Sequence, residues 1–169
     1  MAKTSYAVAL GSNRRHGRHG APARVLAAAA AALEGSDTQL LALSRIRATP
    51  AMGPAGRGFA NAAALLETPL DPPELLAHLK EIEHAFGRRG GRRWGPRVLD
   101  LDIIFWSQGA WASGGLVVPH RDVRVRRFVL EPLAEIAPGW RDPLSGRTVR
   151  QLLHRVAARA PVDRAGLPS

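Results

Sequence analysis

Arg97-Val98-Leu99-Asp100-Leu101-Asp102-Ile103-Ile104-Phe105-Trp106 reads as a β-strand with two acids set into an apolar run. Side chains alternate along a strand. Leu99, Leu101, Ile103 and Phe105 therefore share a face suited to a core. Val98, Asp100, Asp102 and Ile104 share the other, with the two aspartate Cα atoms roughly 6.5–7 Å apart. Two carboxylates pointing one way repel each other and resist desolvation. One reading pairs them with water or with the arginines just upstream, Arg88, Arg89, Arg92, Arg93 and Arg97. The other places a hard cation such as Mg²⁺ between them, since it takes oxygen ligands. Arg92-Arg93-Trp94-Gly95-Pro96-Arg97 favours the second. It joins guanidinium forks that match phosphate oxygens, an aromatic ring and a rigid bend, directly before the acids.

Working backward from this strand, Asp71-Pro72-Pro73-Glu74 carries a helix start: a capping aspartate, a proline in the first turn and an acid three residues after the cap. Leu75, Leu76, Leu79, Ile82 and Phe86 recur at helical spacing and Gly87 supplies a stop. Upstream, Phe59 to Thr68 and Leu40 to Arg47 read as strands, separated by a Pro- and Gly-rich loop over 49–58. Ala21 to Leu33 reads as an alanine-rich helix, and Ser5 to Leu10 as the first strand. Downstream, Gln108-Gly109 turns the chain into a hairpin strand ending near Val118. Short helical segments follow over Val125 to Ile136, broken at Pro132, then a last helix over Thr148 to Ala160.

The order strand, helix, strand, strand, helix, strand is that of an α+β, ferredoxin-like βαββαβ fold. It predicts an antiparallel sheet with helices on one face, plus a C-terminal hairpin and short helices. The other sheet face is then open to a ligand, and Asp100 and Asp102 point toward it. We expect one domain over 1–160 and a flexible tail over 161–169.

The 169 residues suffice for a sizeable core. There is no cysteine, which excludes disulfides and thiolate metal sites. No apolar run is long enough to cross a bilayer and no secretory signal leads the chain, so a cytoplasmic location is expected. The formal charge of +10 favours anionic partners. Lys3 and Lys80 are the only lysines, so this charge belongs to arginine and shares in an Ala/Arg bias of the whole chain. No Walker-type phosphate loop is present.

Two further segments carry chemistry. Thr49-Pro50-Ala51-Met52-Gly53-Pro54 with Phe59-Ala60-Asn61 either walls a small pocket, Phe59 stacking and Asn61 reading a heterocycle's edge, or is an ordinary connection with Phe59 in the core. Val118-Pro119-His120 and the arginines to Arg127 either meet phosphate through His120 and Arg126 or form a solvated basic turn with Phe128 in the core. For Arg121, Arg124 and Arg127 the solvated reading is preferred.

Together these segments resemble the hydroxymethyl-dihydropterin pyrophosphokinase family of folate biosynthesis. The resemblance rests on Ala9-Leu10-Gly11-Ser12-Asn13, Thr49-Pro50, Gly53-Pro54, Asn61-Ala62-Ala63, Glu83 with Gly87-Arg88, Arg93-Trp94-Gly95-Pro96-Arg97, Leu99-Asp100-Leu101-Asp102-Ile103, Val118-Pro119-His120, and Arg126 with Phe128-Val129-Leu130 and Pro132-Leu133. It implies transfer of pyrophosphate from ATP to a pterin hydroxymethyl group, giving AMP. Asp100 and Asp102 would be ligands of two Mg²⁺ ions, and Arg88 and Arg97 would grip the phosphates as catalytic groups. Leu76, Glu83, Arg89, Arg92, Trp94, Ile103, His120 and Arg126 would serve ATP, with Arg89 and Arg92 both candidates for one phosphate contact. Thr49, Pro50, Met52, Gly53, Phe59, Asn61 and Phe128 would form the pterin pocket, the ring stacked between Phe59 and Phe128. Gly115 and Val117 stand where some members carry an arginine and a threonine that touch ATP. A single-activity monomer without nucleic-acid or membrane partners is expected.

Two rivals come from other classes. An RNA-binding module suits the fold and charge, but the strands lack an aromatic pair and the two acids would repel RNA. An inactive scaffold is disfavoured by the retained Asp100, Asp102, Arg97, His120 and Asn61.

Overall fold

The computed structural model describes residues 2–13, 19–49, 58–87 and 98–159, with the side chains of Thr49 and Arg159 outside that description. In chain order the elements are β1 (Thr4–Ser12), α1 (Pro22–Leu33), β2 (Gln39–Leu43), β3 (Arg47–Thr49), β4 (Phe59–Thr68), α2 (Pro72–Gly87), β5 (Asp100–Trp106), β6 (Trp111–Ser113), β7 (Leu116–Val118), α3 (Arg127–Ile136) and α4 (Val149–Arg159). The main sheet runs β2-β4-β1-β5, with β3 also paired to β4, and every pairing is antiparallel. The expected tail over 161–169 lies outside the described residues.

The start of α2 is the capping box that the sequence predicts. The Asp71 amide donates to Glu74 Oε1 and the Glu74 amide to Asp71 Oδ1, both at 2.9 Å. Thr148 and Gln151 repeat the device before α4, at 2.9 and 3.2 Å. Each pair satisfies amides that a first helical turn cannot bond internally. The expected second strand is two strands. It breaks at Ser44, whose amide still donates to the Ala63 carbonyl but whose Oγ accepts the Ala63 amide in return and donates to the Arg45 carbonyl.

Helices cover both faces of the sheet, not one. On the first face, Tyr6, Val8, Leu10, Leu66, Leu101 and Ile103 pack against α1 and α2 through Leu26, Leu33, Leu75 and Leu79. On the second face, Ala7, Ala63, Ile104 and Phe105 pack against Val129, Leu130 and Leu133 of α3 and Val149 and Leu152 of α4. The alanines of β1 and β4 let these helices sit close. Pro132 does not break α3, because burial of Val129, Leu130, Pro132 and Leu133 holds it as one helix. Each fully buried aliphatic side chain contributes about 1.5–3 kcal/mol, comparable to the cost of a helical proline.

Phe105 departs from the expected alternation. The β1–β5 register slips between Ala7/Phe105 and Val8/Ile103, so Ile104 is the extra residue of a β-bulge. The bulge turns Phe105 to the second face beside Ile104, while Leu99, Leu101 and Ile103 stay on the first. The expected hairpin does not extend β5 either. Gly109 bridges back to Trp106, and β6 and β7 form a separate two-stranded sheet with Gly114 and Gly115 at positive φ between them. That hairpin lies on the β5 side, and the His120 amide after it donates to the Ile104 carbonyl at 3.0 Å. Among the described residues no helix is long and apolar enough to cross a membrane.

Candidate active site

α3 and α4 cover one end of the second face and leave a strip at the other. Three strands place side chains along it. Asn61 of β4, Gly11 of β1 and Asp100 of β5 stand in one row of partners, and Ala63, Ala9 and Asp102 in the next. Strands lie about 4.8 Å apart, so Asn61 and Asp100 face each other across roughly 10 Å. Gly11 keeps that gap open. A Cβ there would touch Asn61 Oδ1 at 3.4 Å, and so occupy the floor beside the amide. The sequence motif contains Gly11 but does not reveal this role, since a glycine in a strand reads equally as a bulge or a close approach.

Asp100 is exposed and Asp102 half-buried, on one side of the strand as expected. Among the described residues no ion pair engages Asp102, and no three acidic or histidine groups converge as a metal cage. Two carboxylates on one strand face supply oxygen ligands of the kind that a hard cation such as Mg²⁺ takes, alongside water or substrate oxygens.

Beside Asp102 lies a cavity of about 260 Å³. Leu76, Ile103, Leu116 and Val117 line its apolar part, and Asp102, His120, Arg121, Asp122 and Arg126 its polar part, with Gly115 at the rim. Four residues expected at the nucleotide, Leu76, Ile103, His120 and Arg126, thus meet around one space. The His120 ring is oriented: its Nδ1 accepts the Asp122 amide at 3.1 Å, which leaves Nε2 to carry the proton of the neutral ring and act as donor. Arg126 donates to Asp122 at 2.9 Å and lies 5.8 Å from the Phe128 ring centroid. Arg121 and Asp122 were missed as lining residues. The i, i+4 spacing of Asp122 and Arg126 is the signal that links them.

Phe59 and Phe128 are both half-exposed rather than in the core, as a stacking surface requires. Arg47, paired with Asn61 across β3 and β4, is held by Glu135 of α3 at 3.2 Å. Glu83 is not among the residues lining the cavity. Its carboxylate accepts the Leu101 amide at 2.7 Å. Arg124 is only partly solvated. It forms a two-pronged bond to Asp142 at 2.8 and 3.0 Å, and Asp142 is fully buried. Burial alone would push the Asp142 carboxyl up. The Ser145 hydroxyl, Arg124 and the Leu144 amide together outweigh it and hold the group below its ordinary value of 3.8. Arg88, Arg89, Arg92, Trp94 and Arg97, and the pocket residues Pro50, Met52 and Gly53, lie outside the described residues, as does the side chain of Thr49.

A family model described as 7,8-dihydro-6-hydroxymethylpterin-pyrophosphokinase matches residues 7–138. The chain belongs to this family. Within it, the chain is 41% identical over 147 residues to the 2-amino-4-hydroxy-6-hydroxymethyldihydropteridine pyrophosphokinase of Pseudomonas aeruginosa, covering 86% of this chain and 88% of that one. It is 47% identical over 106 residues to the protein of the same name from Synechocystis, covering 63% of this chain and 54% of that one. The chain therefore spans about half the length of the Synechocystis relative. The fold is similar to that of Plasmodium falciparum HPPK-DHPS solved with pteroate, at a TM-score of 0.73, 13% identity, and coverage of 97% of this chain and 44% of that one.

Proposed function

We propose that this pyrophosphokinase family member transfers pyrophosphate from ATP to the hydroxymethyl group of 6-hydroxymethyl-7,8-dihydropterin, in folate biosynthesis. The observation that carries the reading is the strip Asn61–Gly11–Asp100, which runs beside Asp102 into the cavity of His120 and Arg126. It offers an edge-reading amide, an open floor, paired acids and phosphate donors in one line.

In the reaction the pterin hydroxyl oxygen bonds to the β-phosphorus, the bond from that phosphorus to the α-phosphate's bridging oxygen breaks, and AMP leaves. The hydroxyl proton passes to water. Asp100 and Asp102 would hold two Mg²⁺ ions. Mg²⁺, when bound, supplies neutralisation of the triphosphate charge. Leu76 and Ile103 give the adenine apolar walls. His120 donates from Nε2 to a phosphate oxygen, and Arg126 exchanges Asp122 for phosphate. Asn61 reads the pterin edge, while Phe59 and Phe128 supply ring faces beside the loop of Thr49, Pro50, Met52 and Gly53. Arg88 and Arg97 grip the transferred group, with Arg89 or Arg92 adding a contact and Trp94 closing the site. Catalysis is then positioning and charge stabilisation without a covalent enzyme intermediate. The ferredoxin-like description belongs to the same reading and is supported by the strand order, with β2 and β3 sharing one position. So do a single domain over 1–160, a monomeric state and a cytoplasmic setting.

The test is AMP release from ATP, with and without the pterin and Mg²⁺. AMP is expected only when all three are present. ADP as the product, or AMP release indifferent to the pterin, refutes the reading.

A further inference from the structure

Helix α2 turns apolar residues inward at Leu75, Leu79, Ile82 and Phe86, and among them stands one acid, Glu83, with only 11% of its side chain exposed. One carboxylate oxygen, Oε2, accepts the Leu101 amide at 2.7 Å. The other, Oε1, lies 3.3 Å from Lys80 Nζ. Leu101 is the residue between Asp100 and Asp102, and it is buried.

Among the described residues β5 is an edge strand that pairs with β1 alone. Leu101 stands opposite Leu10 in that ladder, yet its N–H turns outward to the helix. An outward amide on a buried edge needs an acceptor. A carboxylate is a costly choice for mere satisfaction, because burying it carries a desolvation penalty. What it adds is a short, charge-assisted bond that fixes one peptide unit. That peptide joins Asp100 to Leu101, the residue that precedes Asp102.

We infer that Glu83 is a positioning residue. It braces the Asp100–Leu101–Asp102 backbone from behind, so that both carboxylates keep the separation and direction that a Mg²⁺-nucleotide requires. The inference rests on the reading above and gives Glu83 a different task from nucleotide contact. Its carboxylate is engaged by the Leu101 amide and is not among the residues lining the cavity, whereas Asp102 is.

The test uses the full chain and two substitutions of equal length. Glu83→Met keeps the stem and removes the acceptor, and Glu83→Gln keeps an acceptor and removes the charge. Two quantities are read: hydrogen exchange of the Leu101 amide in the unliganded protein by NMR, and binding of Mg²⁺ with α,β-methylene-ATP by calorimetry. In Glu83→Met, Leu101 exchange is expected at least about tenfold faster, and binding about 10–100-fold weaker, the range for residues that orient metal ligands. Glu83→Gln is expected to restore both to within about threefold of wild type. Lys80→Ala, which leaves the Leu101 bond in place, is the control and should change neither. Slow exchange and wild-type binding in Glu83→Met overturn the inference. So does a Glu83→Gln variant with slow exchange but binding as weak as Glu83→Met, since that assigns the charge to direct ligand contact. A wild-type chain that binds no Mg²⁺-nucleotide refutes the functional reading itself, and the brace is then judged on exchange alone.

Discussion

Replacing Arg124 with alanine strips a buried carboxylate of its charge partner. Asp142 accepts four hydrogen bonds: two from Arg124, one from the Ser145 hydroxyl at 2.7 Å and one from the Leu144 amide at 3.0 Å. After Arg124→Ala only the two neutral donors remain. Removing one partner of a fully buried pair costs about 3–5 kcal/mol. The Arg124 side chain is 33% exposed, so water reaches the gap and about 2–3 kcal/mol is expected here. For a chain of 169 residues that is a fall in melting temperature of about 4–12 °C. Urea unfolding should show a lower midpoint at unchanged slope. The loss must also depend on pH. The folded carboxyl is held below its ordinary value, so its stabilisation is complete above about 3.8 and fades as acid reaches the folded group's own range. Wild type and variant should therefore converge in acid. A loss under about 1 kcal/mol at neutral pH, or a difference that persists unchanged below pH 3, refutes this account. Arg124 also stands between His120 and Arg126, which line the cavity, so the variant should raise the nucleotide KM more than it lowers kcat.

Asp100→Ala and Asp102→Ala should each lower kcat/KM at least about a hundredfold, beyond the cost of residues that only orient ligands, while the far-ultraviolet circular dichroism stays native. Turnover within tenfold of wild type would contradict a ligand role. Phe59→Ala should weaken pterin binding by about 1–3 kcal/mol, the worth of one stacked heterocycle, and leave the nucleotide KM unchanged; calorimetry with each ligand separates the two. Asp71→Ala removes the α2 cap and should cost about 1 kcal/mol in denaturant unfolding, with no effect on KM.

The local rules that worked were those whose physics is contained in a few neighbouring residues. The α2 capping box, the span of β4 and the shared face of Asp100 and Asp102 all follow from spacing alone. What escaped required long-range partners. Phe105 changes face because β1 and β5 slip by one residue, and no pattern inside β5 announces that. α3 and α4 have apolar faces in the sequence, but which sheet face they cover depends on the alanines of β1 and β4 receiving them. Arg124 reads as one arginine among many until Asp142, 18 residues on, meets it. Gly11 was visible in its motif, and its purpose emerged only when Asn61 and Asp100 took their places on either side.

The bulge at Ile104 makes the strand two devices spliced in series. Its leading half exposes acids to a ligand, and its trailing half is sunk in hydrocarbon on both sides. Excising Ile104 would restore a regular ladder and leave the other side chains on their present faces, so the cost would fall on the one side chain removed, which packs beside Phe105 in the second core. Length at this point is therefore set by anchorage of the helical layer, while the acids at the other end keep their direction whether or not the extra residue is present.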